Sequence, residues 1–393
     1  MTTFDFTDDE NAIVEAVRRY VSKEVRPKVA KHEREQSFPT ALLAGITELG
    51  LFGLAVPEQY GGLGLRLPVF AAVMEVLAAG WTTLAAYVNS HATVAYVISA
   101  HGTDEQKNRY LARMATGEER GCLCLTEPGV GSDLQNIATV ANEEGDSFRL
   151  RGDKIFVTNG EKATIMLTLA RTGRKEQSGK PEISLFLVEK KTPGVSVGST
   201  FHKMGFGLVD TVEIRLEDVA LPASAMVGLA RGAGMRQLLD GLEIGRIAIA
   251  SSAVGLAAAA LEEAKRYASE RKAFGVTIDR HQAIQLRLAE MATKLVAARL
   301  LTGEAARKKE AGERADMLGA MAKLFASEAC AEIVQSSLRI HGGYGYISEF
   351  PIERLYREAP LYIVGEGTND INKLVIARRM MEGNEASTLG LPS

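Results

Sequence analysis

The stretch MRQLLDGLEIGRIAIASSAVGLAAAALEEAKRYASE, residues 235–270, decides the fold. It follows a helical pattern and runs well beyond the length of a typical helix in a globular protein. Two further runs of this kind follow, at residues 281–310 and 315–342. Helices of this length are typical of a four-helix bundle, so residues 231–393 are predicted to form a C-terminal helical bundle domain.

Before the bundle, the hydrophobic pattern changes twice. Apolar and polar residues alternate across residues 120–230, as in SFRLRGDKIFVTNG at residues 147–160. No segment of crossover length separates these runs, which predicts a mostly antiparallel middle β domain. Residues 1–119 have apolar residues at helical spacing, which predicts an N-terminal α-helical domain. The predicted class is α+β, in the order helices, β domain, helical bundle.

Composition narrows the function classes. The chain has 393 residues, 24% of them charged, and a formal net charge of -3, so it offers no basic field for nucleic acid or an anionic membrane. The most apolar window, residues 247–264, is interrupted by serine and glycine, which predicts a buried bundle helix and no membrane span. The histidines show no metal-ligand spacing, and GxSxG and Walker motifs are absent, which disfavours a metal site or a hydrolase triad.

The cysteines and the first residues indicate a compartment. Cys122, Cys124 and Cys330 form no CxxC pair, and an odd thiol argues against a disulfide framework. The start, MTTFDFTDDE, is acidic and lacks the apolar run of a secretory signal. A cytoplasmic protein with reduced thiols is therefore expected.

Two stretches at the edge of the predicted β domain carry groups that suit a ligand. In LCLTEPGVGSD, residues 123–133, Thr126 precedes a proline–glycine turn that exposes backbone N–H groups and hydroxyls, although an ordinary turn has the same composition. In FVTNG, residues 156–160, Phe156 is suited to stack on a planar cofactor and Thr158 to bond its edge. A core phenylalanine followed by an Asn-Gly turn is the alternative there.

The bundle contains further candidates. Glu243 and Arg246 are three residues apart on a predicted helix and share a face, and a surface ion pair is the plain alternative to a ligand site. Arg271 lies between two long helices, where its planar fork suits phosphate oxygens. The glycines of HGGYGY, residues 341–346, are either helix caps or part of a close-packed loop, and they lack the strand–helix context of a Rossmann fingerprint.

One carboxylate, Glu366, lies between two glycines in LYIVGEGTNDIN, residues 361–372. Glycines on both sides allow a sharp turn or a close approach of the backbone to a flat ligand. Taken alone, the stretch is compatible with a catalytic base and with a solvated turn residue.

Taken together, LCLTEPGVGSD, FVTNG, ERKAFG, HQAI, HGGYGY and EGTNDI resemble the acyl-CoA dehydrogenase family in order and spacing. The resemblance extends from PEQYGGLG, residues 57–64, to NKLVIARRM, residues 372–380. It implies FAD as cofactor and an acyl-CoA substrate oxidised to the trans-2-enoyl-CoA. It also implies a homotetramer or dimer and an electron-transferring flavoprotein as electron acceptor.

The resemblance also implies site residues. Glu366 matches the catalytic base. The residues that match thioester or pantetheine contacts are Ser132, Glu243, Arg246 and Gly367. The residues that match FAD contacts, some of them supplied across a subunit boundary, are Leu123, Cys124, Leu125, Thr126, Gly131, Ser132, Phe156, Val157, Thr158, Arg271, Phe274, His281, Gln282, Arg339, Gly342, Gly343, Thr368 and Asp370.

The implied chemistry requires a base. Oxidising a saturated thioester at Cα–Cβ takes a proton from Cα and sends a hydride from Cβ to flavin N5, and the α-proton is only weakly acidic. A carboxylate desolvated beside the flavin has a raised pKa and is a better base. A second family layout places the base on a helix just before the arginine that corresponds to Arg246. That position is Gly245 here, so the loop carboxylate Glu366 is favoured.

Three positions depart from the family pattern. Gly365 stands where tyrosine is common, Phe156 where tryptophan is common, and Arg339 where glutamine is common. Loss of a tyrosine ring beside the base is expected to reshape the acyl pocket for short or medium, branched or cyclic acyl groups. A carrier-protein-bound substrate, an oxidase and a flavin-binding scaffold without turnover are the alternatives, and an intact Glu366 argues against the scaffold.

Overall fold

A computed structural model describes residues 6–174 and 179–382. Helices occupy both ends of the chain, and a β-sheet lies between them in sequence, in the predicted order. The helices are α1 (Asp8–Tyr20), α2 (Arg26–Glu35), α3 (Thr40–Glu48), α4 (Leu67–Gly80), α5 (Thr82–His101), α6 (Asp104–Ala115), α7 (Gly234–Glu270), α8 (Gln282–Glu310), α9 (Asp316–His341), α10 (Pro351–Val364) and α11 (Asn369–Met381).

Local signals fix several helix ends. Thr7 and Glu10 form a reciprocal capping box at the start of α1, and Thr103 and Gln106 form another at the start of α6. A π-helical turn, Val21–Val25, joins α1 to α2. The three long helices of the bundle begin and end within a residue or two of the runs predicted from the sequence.

The middle domain is a seven-stranded sheet with the strand order β1-β4-β2-β3-β7-β6, and β5 also pairs with β4. Most pairs are antiparallel, as predicted, whereas β4 pairs in parallel with β1 and β2. The strands are β1 (Gly121–Cys124), β2 (Val140–Glu144), β3 (Ser147–Thr158), β4 (Ile165–Arg174), β5 (Pro181–Glu189), β6 (Val195–Thr200) and β7 (Thr211–Pro222), with a separate hairpin of β8 (Lys272–Ala273) and β9 (Val276–Thr277).

The long helix α7 forms the centre of the bundle. It is long and apolar enough to cross a membrane by length and composition, but 83% of its most apolar window is buried inside the protein. It packs against α9 and α8 of its own domain and against α4 of the N-terminal helices. A Cβ at Gly255 would lie 2.2 Å from the carbonyl oxygen of Glu75, so only glycine allows α4 to approach this closely.

The N-terminal and C-terminal helices share one hydrophobic core. Buried side chains of α4, such as Met74 and Leu77, belong to the same cluster as Val254 and Leu256 of α7. A bidentate ion pair from Arg299 on α8 to Glu75 on α4 also joins the two sets of helices. The three cysteines are buried and unpaired. The first and last helical segments are therefore held as one body, and the sheet packs against it through α5.

Candidate active site

Glu366 lies in the connection of residues 365–368 between α10 and α11. Its φ is 54° and that of Gly367 is 86°, so two consecutive residues have left-handed backbone. For a glutamate this conformation costs on the order of 1–2 kcal/mol, and such strain is concentrated at functional sites. A Cβ at Gly365 would lie 3.0 Å from the carbonyl oxygen of Leu361, so this glycine also serves the sharp exit from α10.

The Glu366 carboxylate is held from α5 and packs against α7. Asn89 Nδ2 on α5 donates a hydrogen bond of 3.2 Å to Glu366 Oε1. Oε2 is buried and has no hydrogen-bond partner among the described residues. A Cβ at Gly245 would lie only 2.7 Å from Oε2. The glycine at the alternative base position thus makes the room that the loop carboxylate occupies.

Burial raises the pKa of Glu366, and three neighbours oppose that rise. These are the Asn89 hydrogen bond and the positive charges of Arg246 and Lys323. The group therefore has the properties expected of a general base: a partly buried side chain with a raised pKa and one buried carboxylate oxygen free to accept a proton.

Arg246 and Glu243 have different environments. Arg246 is buried, its Nε has no hydrogen-bond partner within the described part of the chain, and burial lowers the pKa of its guanidinium. Glu243 instead pairs with Lys309 at 2.8 Å, and Lys309 also binds Asp240 at 2.6 Å. The surface ion pair between Glu243 and Arg246 is not formed. Arg246 is left as a cation with donor capacity, close enough to Glu366 to act on its pKa.

The predicted flavin-binding stretches meet at the end of β3. Ile155 N donates to the Thr126 carbonyl oxygen at 2.8 Å, which places LCLTEPGVGSD beside FVTNG. Cβ atoms at Gly129 and Gly131 would meet nothing within 4 Å, so the turn presents its backbone to open space. Phe156 has a φ of 54°, and its side chain is 57% exposed. An exposed aromatic beside a bare glycine turn fits a planar cofactor.

A buried ion pair lies beneath this turn, and the sequence analysis did not find it. Lys154 Nζ donates to Glu127 Oε1 at 2.8 Å and to the Leu125 carbonyl oxygen at 3.3 Å. Glu127 also accepts the backbone N–H groups of Ala138 and Thr139. The feature of the sequence that indicates this ion pair is Lys154, a lysine within a strand in which apolar and polar residues otherwise alternate.

Three consecutive polar residues of α5 join the parts of the site. Asn89 contacts Glu366, and Ser90 Oγ accepts a 2.9 Å hydrogen bond from Asn159 Nδ2, directly after Thr158. His91 Nδ1 accepts from the N–H of Gly121, where β1 begins, at 3.2 Å. Burial lowers the pKa of His91 to about 4, so it is neutral. These three residues are not among those predicted from the sequence. The feature that could have indicated them is a run of three polar residues inside an apolar helix.

A second group of predicted contacts lies at the far end of α7. Arg271, Gly342 and Gly343 line a cleft of about 510 Å³, together with Tyr344, whose ring centroid is 5.7 Å from the guanidinium. Phe274, in the β8–β9 turn, is 96% exposed. His281 Nε2 contacts the Ala273 carbonyl oxygen, and Gln282 and Arg339 are exposed. These residues suit the anionic and planar parts of a nucleotide.

The remaining predicted residues have other environments. Thr368 caps α11 by accepting the Ile371 N–H at 3.2 Å. Asp370 is exposed and pairs with Lys373. Ser132 is exposed at the end of the glycine turn. The structure thus brings Glu366, Arg246 and Gly367 to one end of α7 and the Arg271 cleft to the other.

The chain matches, in order, the models of three domains of one protein family. They are the acyl-CoA dehydrogenase N-terminal domain at residues 7–118, the middle domain at residues 122–219 and the C-terminal domain at residues 232–381. The chain therefore belongs to the acyl-CoA dehydrogenase family. Members are FAD-dependent flavoproteins of fatty acid metabolism that act as oxidoreductases on acyl-CoA. The predicted family, fold class and cofactor are confirmed.

Individual relatives show the same extent of similarity. The chain is 37% identical over 378 residues to a 3-(aryl)acrylate reductase of Clostridium sporogenes, covering 96% of this chain and 100% of the relative. It is 38% identical over 367 residues to the mitochondrial short-chain specific acyl-CoA dehydrogenase of Bos taurus, covering 93% and 88%. The solved structure of butyryl-CoA dehydrogenase from Megasphaera elsdenii matches with a TM-score of 0.90 at 32% identity, covering 96% and 99%.

Proposed function

We propose that this protein oxidises an acyl-CoA to the trans-2-enoyl-CoA with Glu366 as the base. The observation that carries the proposal is the environment of Glu366. Its carboxylate is held by Asn89, its pKa is raised by burial, and its Oε2 is buried without a hydrogen-bond partner among the described residues. An acid that served only as a turn residue would not need Gly245 to leave it room.

In the proposed reaction Glu366 takes the proton from Cα of the thioester. Bound FAD would supply the acceptor for the hydride that leaves Cβ, so that loss of the Cα proton and the Cβ hydride would leave a Cα–Cβ double bond. Arg246 and Lys323 keep positive charge near the carboxylate and so favour its ionised form before the proton arrives. The N–H of Glu366 lies in a left-handed turn, where it is suited to polarise the thioester carbonyl.

The residues proposed to hold FAD are those of the end of β1, the turn after it and the end of β3. Leu123 to Thr126, Gly131 and Ser132 would line the ring system, with Phe156, Val157 and Thr158 against it. The open space at the two turn glycines and the exposed phenyl ring of Phe156 support this assignment. The buried pair of Glu127 and Lys154 would keep the turn rigid.

We further propose a homo-oligomer, a tetramer or a dimer. Arg271 follows α7 and lies 26 positions after Gly245, so at 1.5 Å per helical residue roughly 39 Å separate the Arg271 cleft from the Glu366 site. One dinucleotide does not span that distance within a subunit. If the residues near Glu366 and those of the Arg271 cleft bind the same FAD, the Arg271 cleft must come from a second copy of the chain. The exposed ring of Phe274 is suited to reach the cofactor of that second copy.

The acyl group is proposed to be short, branched or cyclic. A Cβ at Gly241 would lie 2.4 Å from Val97 Cγ2, so α5 and α7 touch one helical turn from Gly245. This close contact narrows the space between the two helices at that turn, which favours a short acyl chain over a long straight one. The relatives include a 3-(aryl)acrylate reductase and a short-chain specific acyl-CoA dehydrogenase, which supports a short or bulky acyl group.

The function is tested by the colour of the purified protein. The protein should be yellow, and anaerobic butyryl-CoA should bleach it and yield the trans-2-enoyl-CoA. Bleaching only by an acyl-carrier-protein thioester would favour the carrier-bound alternative, and no bleaching by any thioester would favour the scaffold. A sharp optimum on straight C6–C10 acyl-CoAs would refute the proposed pocket. The proposed electron acceptor is an electron-transferring flavoprotein, and the proposed location is the cytoplasm.

A further inference from the structure

Lys323 of α9 is fully buried beneath the connection that carries Glu366. Its Nζ donates to the carbonyl oxygens of Ile363 at 3.1 Å and Gly367 at 2.9 Å, and to Asn369 Oδ1 at 2.8 Å. An ammonium group has three N–H donors, so all of them are used. The two carbonyl groups belong to residues on either side of Glu366.

Burying the ammonium group of Lys323 at this position is energetically unfavourable. Lys323 forms no ion pair within the described residues, because its three acceptors are neutral oxygens. Burial lowers the pKa of Lys323 to about 8, while the nearby charge of Glu366 opposes that fall. A buried ammonium without a paired carboxylate costs several kcal/mol. The position of Lys323 is explained by the groups that it binds: the carbonyl oxygen of Ile363 at the end of α10 and that of Gly367 in the turn that follows.

The segment is anchored on its other side as well. Asn369, the first residue of α11, donates from Nδ2 to Ser327 Oγ at 2.9 Å and to Glu328 Oε1 at 2.8 Å. Lys323 and Ser327 lie one turn apart on α9, and Glu328 directly follows Ser327, so three side chains of one helix hold the segment. These contacts fix residues 363–369 and, within them, the left-handed backbone of Glu366 and Gly367.

We propose that Lys323 is a positioning residue for the base: it fixes the Glu366 turn through the flanking carbonyl groups and supplies positive charge that favours the ionised carboxylate. The proposal rests on the proposed role of Glu366. The groups that act on Glu366 are Asn89 from α5, Arg246 from α7 and Lys323 from α9. The charges that act on Lys323 are Glu366, Arg246 and Glu328.

Two substitutions separate charge from anchoring. Lys323→Gln removes the charge but keeps an N–H donor for the carbonyl groups, whereas Lys323→Met removes both. In both variants the acid limb of the kcat profile should move to higher pH, because a cation that favours the ionised Glu366 is lost. Lys323→Met should also lower kcat above that limb by roughly 10²-fold, the effect of a displacement of about 1 Å, and Lys323→Gln should lower it less. The dissociation constant of acyl-CoA should change little.

Lys203→Gln is the matched control. Lys203 is a half-buried lysine that donates to the carbonyl oxygen of Val209 at 2.8 Å, but its charged neighbour is Asp210. In the Lys203→Gln variant, the acid limb of the kcat profile should stay at the wild-type pH. Ser327→Ala tests anchoring alone: with Lys323 intact, kcat should fall while the limb stays in place. That variant also serves if the Lys323 variants do not fold.

The outcomes are distinguishable from failure of the proposed function. If Glu366→Gln is bleached by acyl-CoA at the wild-type rate, the role of Glu366 is wrong whatever Lys323 does. If Glu366→Gln is not bleached but both Lys323 variants keep the wild-type acid limb, only the role of Lys323 is wrong. Wild-type kcat in Ser327→Ala would overturn the anchoring part.

Discussion

The substitution Gly245→Ala should separate stability from activity. The new Cβ would lie 2.7 Å from Glu366 Oε2, against about 3.4 Å for an ordinary contact, while its next neighbours, Glu366 Cδ and Thr93 Oγ1, are at 3.4 and 3.6 Å. The atom that must move is the end of a flexible side chain, so the fold can accommodate the methyl group. The base, however, must shift by about 0.7 Å or more, and a misplacement near 1 Å costs on the order of 10²-fold in rate.

The same change should not destabilise the protein. Gly245 lies inside α7, where alanine is favoured over glycine by roughly 0.5–1 kcal/mol. The melting temperature should therefore hold or rise while kcat falls by roughly 10²-fold. The assay is thermal unfolding beside anaerobic flavin reduction by acyl-CoA. Gly319→Ala in α9 is the control, because its Cβ would meet nothing within 4 Å, and it should leave kcat unchanged. Wild-type kcat in Gly245→Ala would refute the placement of the carboxylate.

Three further predictions concern groups around the site. Asn89→Leu removes the donor to Glu366, so the acid limb of kcat/KM should move to higher pH; an unmoved limb would contradict the contact. Because the folded pKa of Glu366 is raised, the wild type loses stability as pH rises from the unfolded value near 4.3 through the folded value. Glu366→Gln should therefore melt higher than the wild type at pH 8 and no higher at pH 4; the reverse order would contradict the sign. Glu127→Gln leaves Lys154 as an unpaired buried charge, so urea unfolding should show a loss of about 3–5 kcal/mol, and a loss below 1 kcal/mol would refute the buried pair.

The helical bundle could be predicted because its signals are local. The run at residues 235–270 is long and uninterrupted by proline, and α7 spans Gly234–Glu270. The short strands β1, β2 and β6 could not be predicted individually, because four to six residues carry little periodicity. Their pairing depends on partners elsewhere, as with β1 and β4, which lie side by side in parallel.

The site divides in the same way. Motifs with short-range composition, such as the glycines around Glu366, could be found in the sequence. Asn89 could not, because its contact with Glu366 joins residues 277 positions apart. Lys323 and Lys154 were missed because lysines are usually exposed, and only the fold shows that these two are buried. Helical spacing alone predicts an ion pair between Glu243 and Arg246, but in the structure the Glu243 carboxylate pairs with Lys309 of α8.

The central claim is that Glu366 removes the α-proton. The most direct measurement is anaerobic single-turnover flavin reduction in the wild type and in Glu366→Gln, each with an ordinary and an α,α-dideuterated acyl-CoA. Glu366→Gln should keep its FAD and bind acyl-CoA but reduce the flavin roughly 10²–10⁴-fold more slowly, and deuterium should slow the wild type. Reduction of Glu366→Gln within a few-fold of the wild-type rate would contradict the claim.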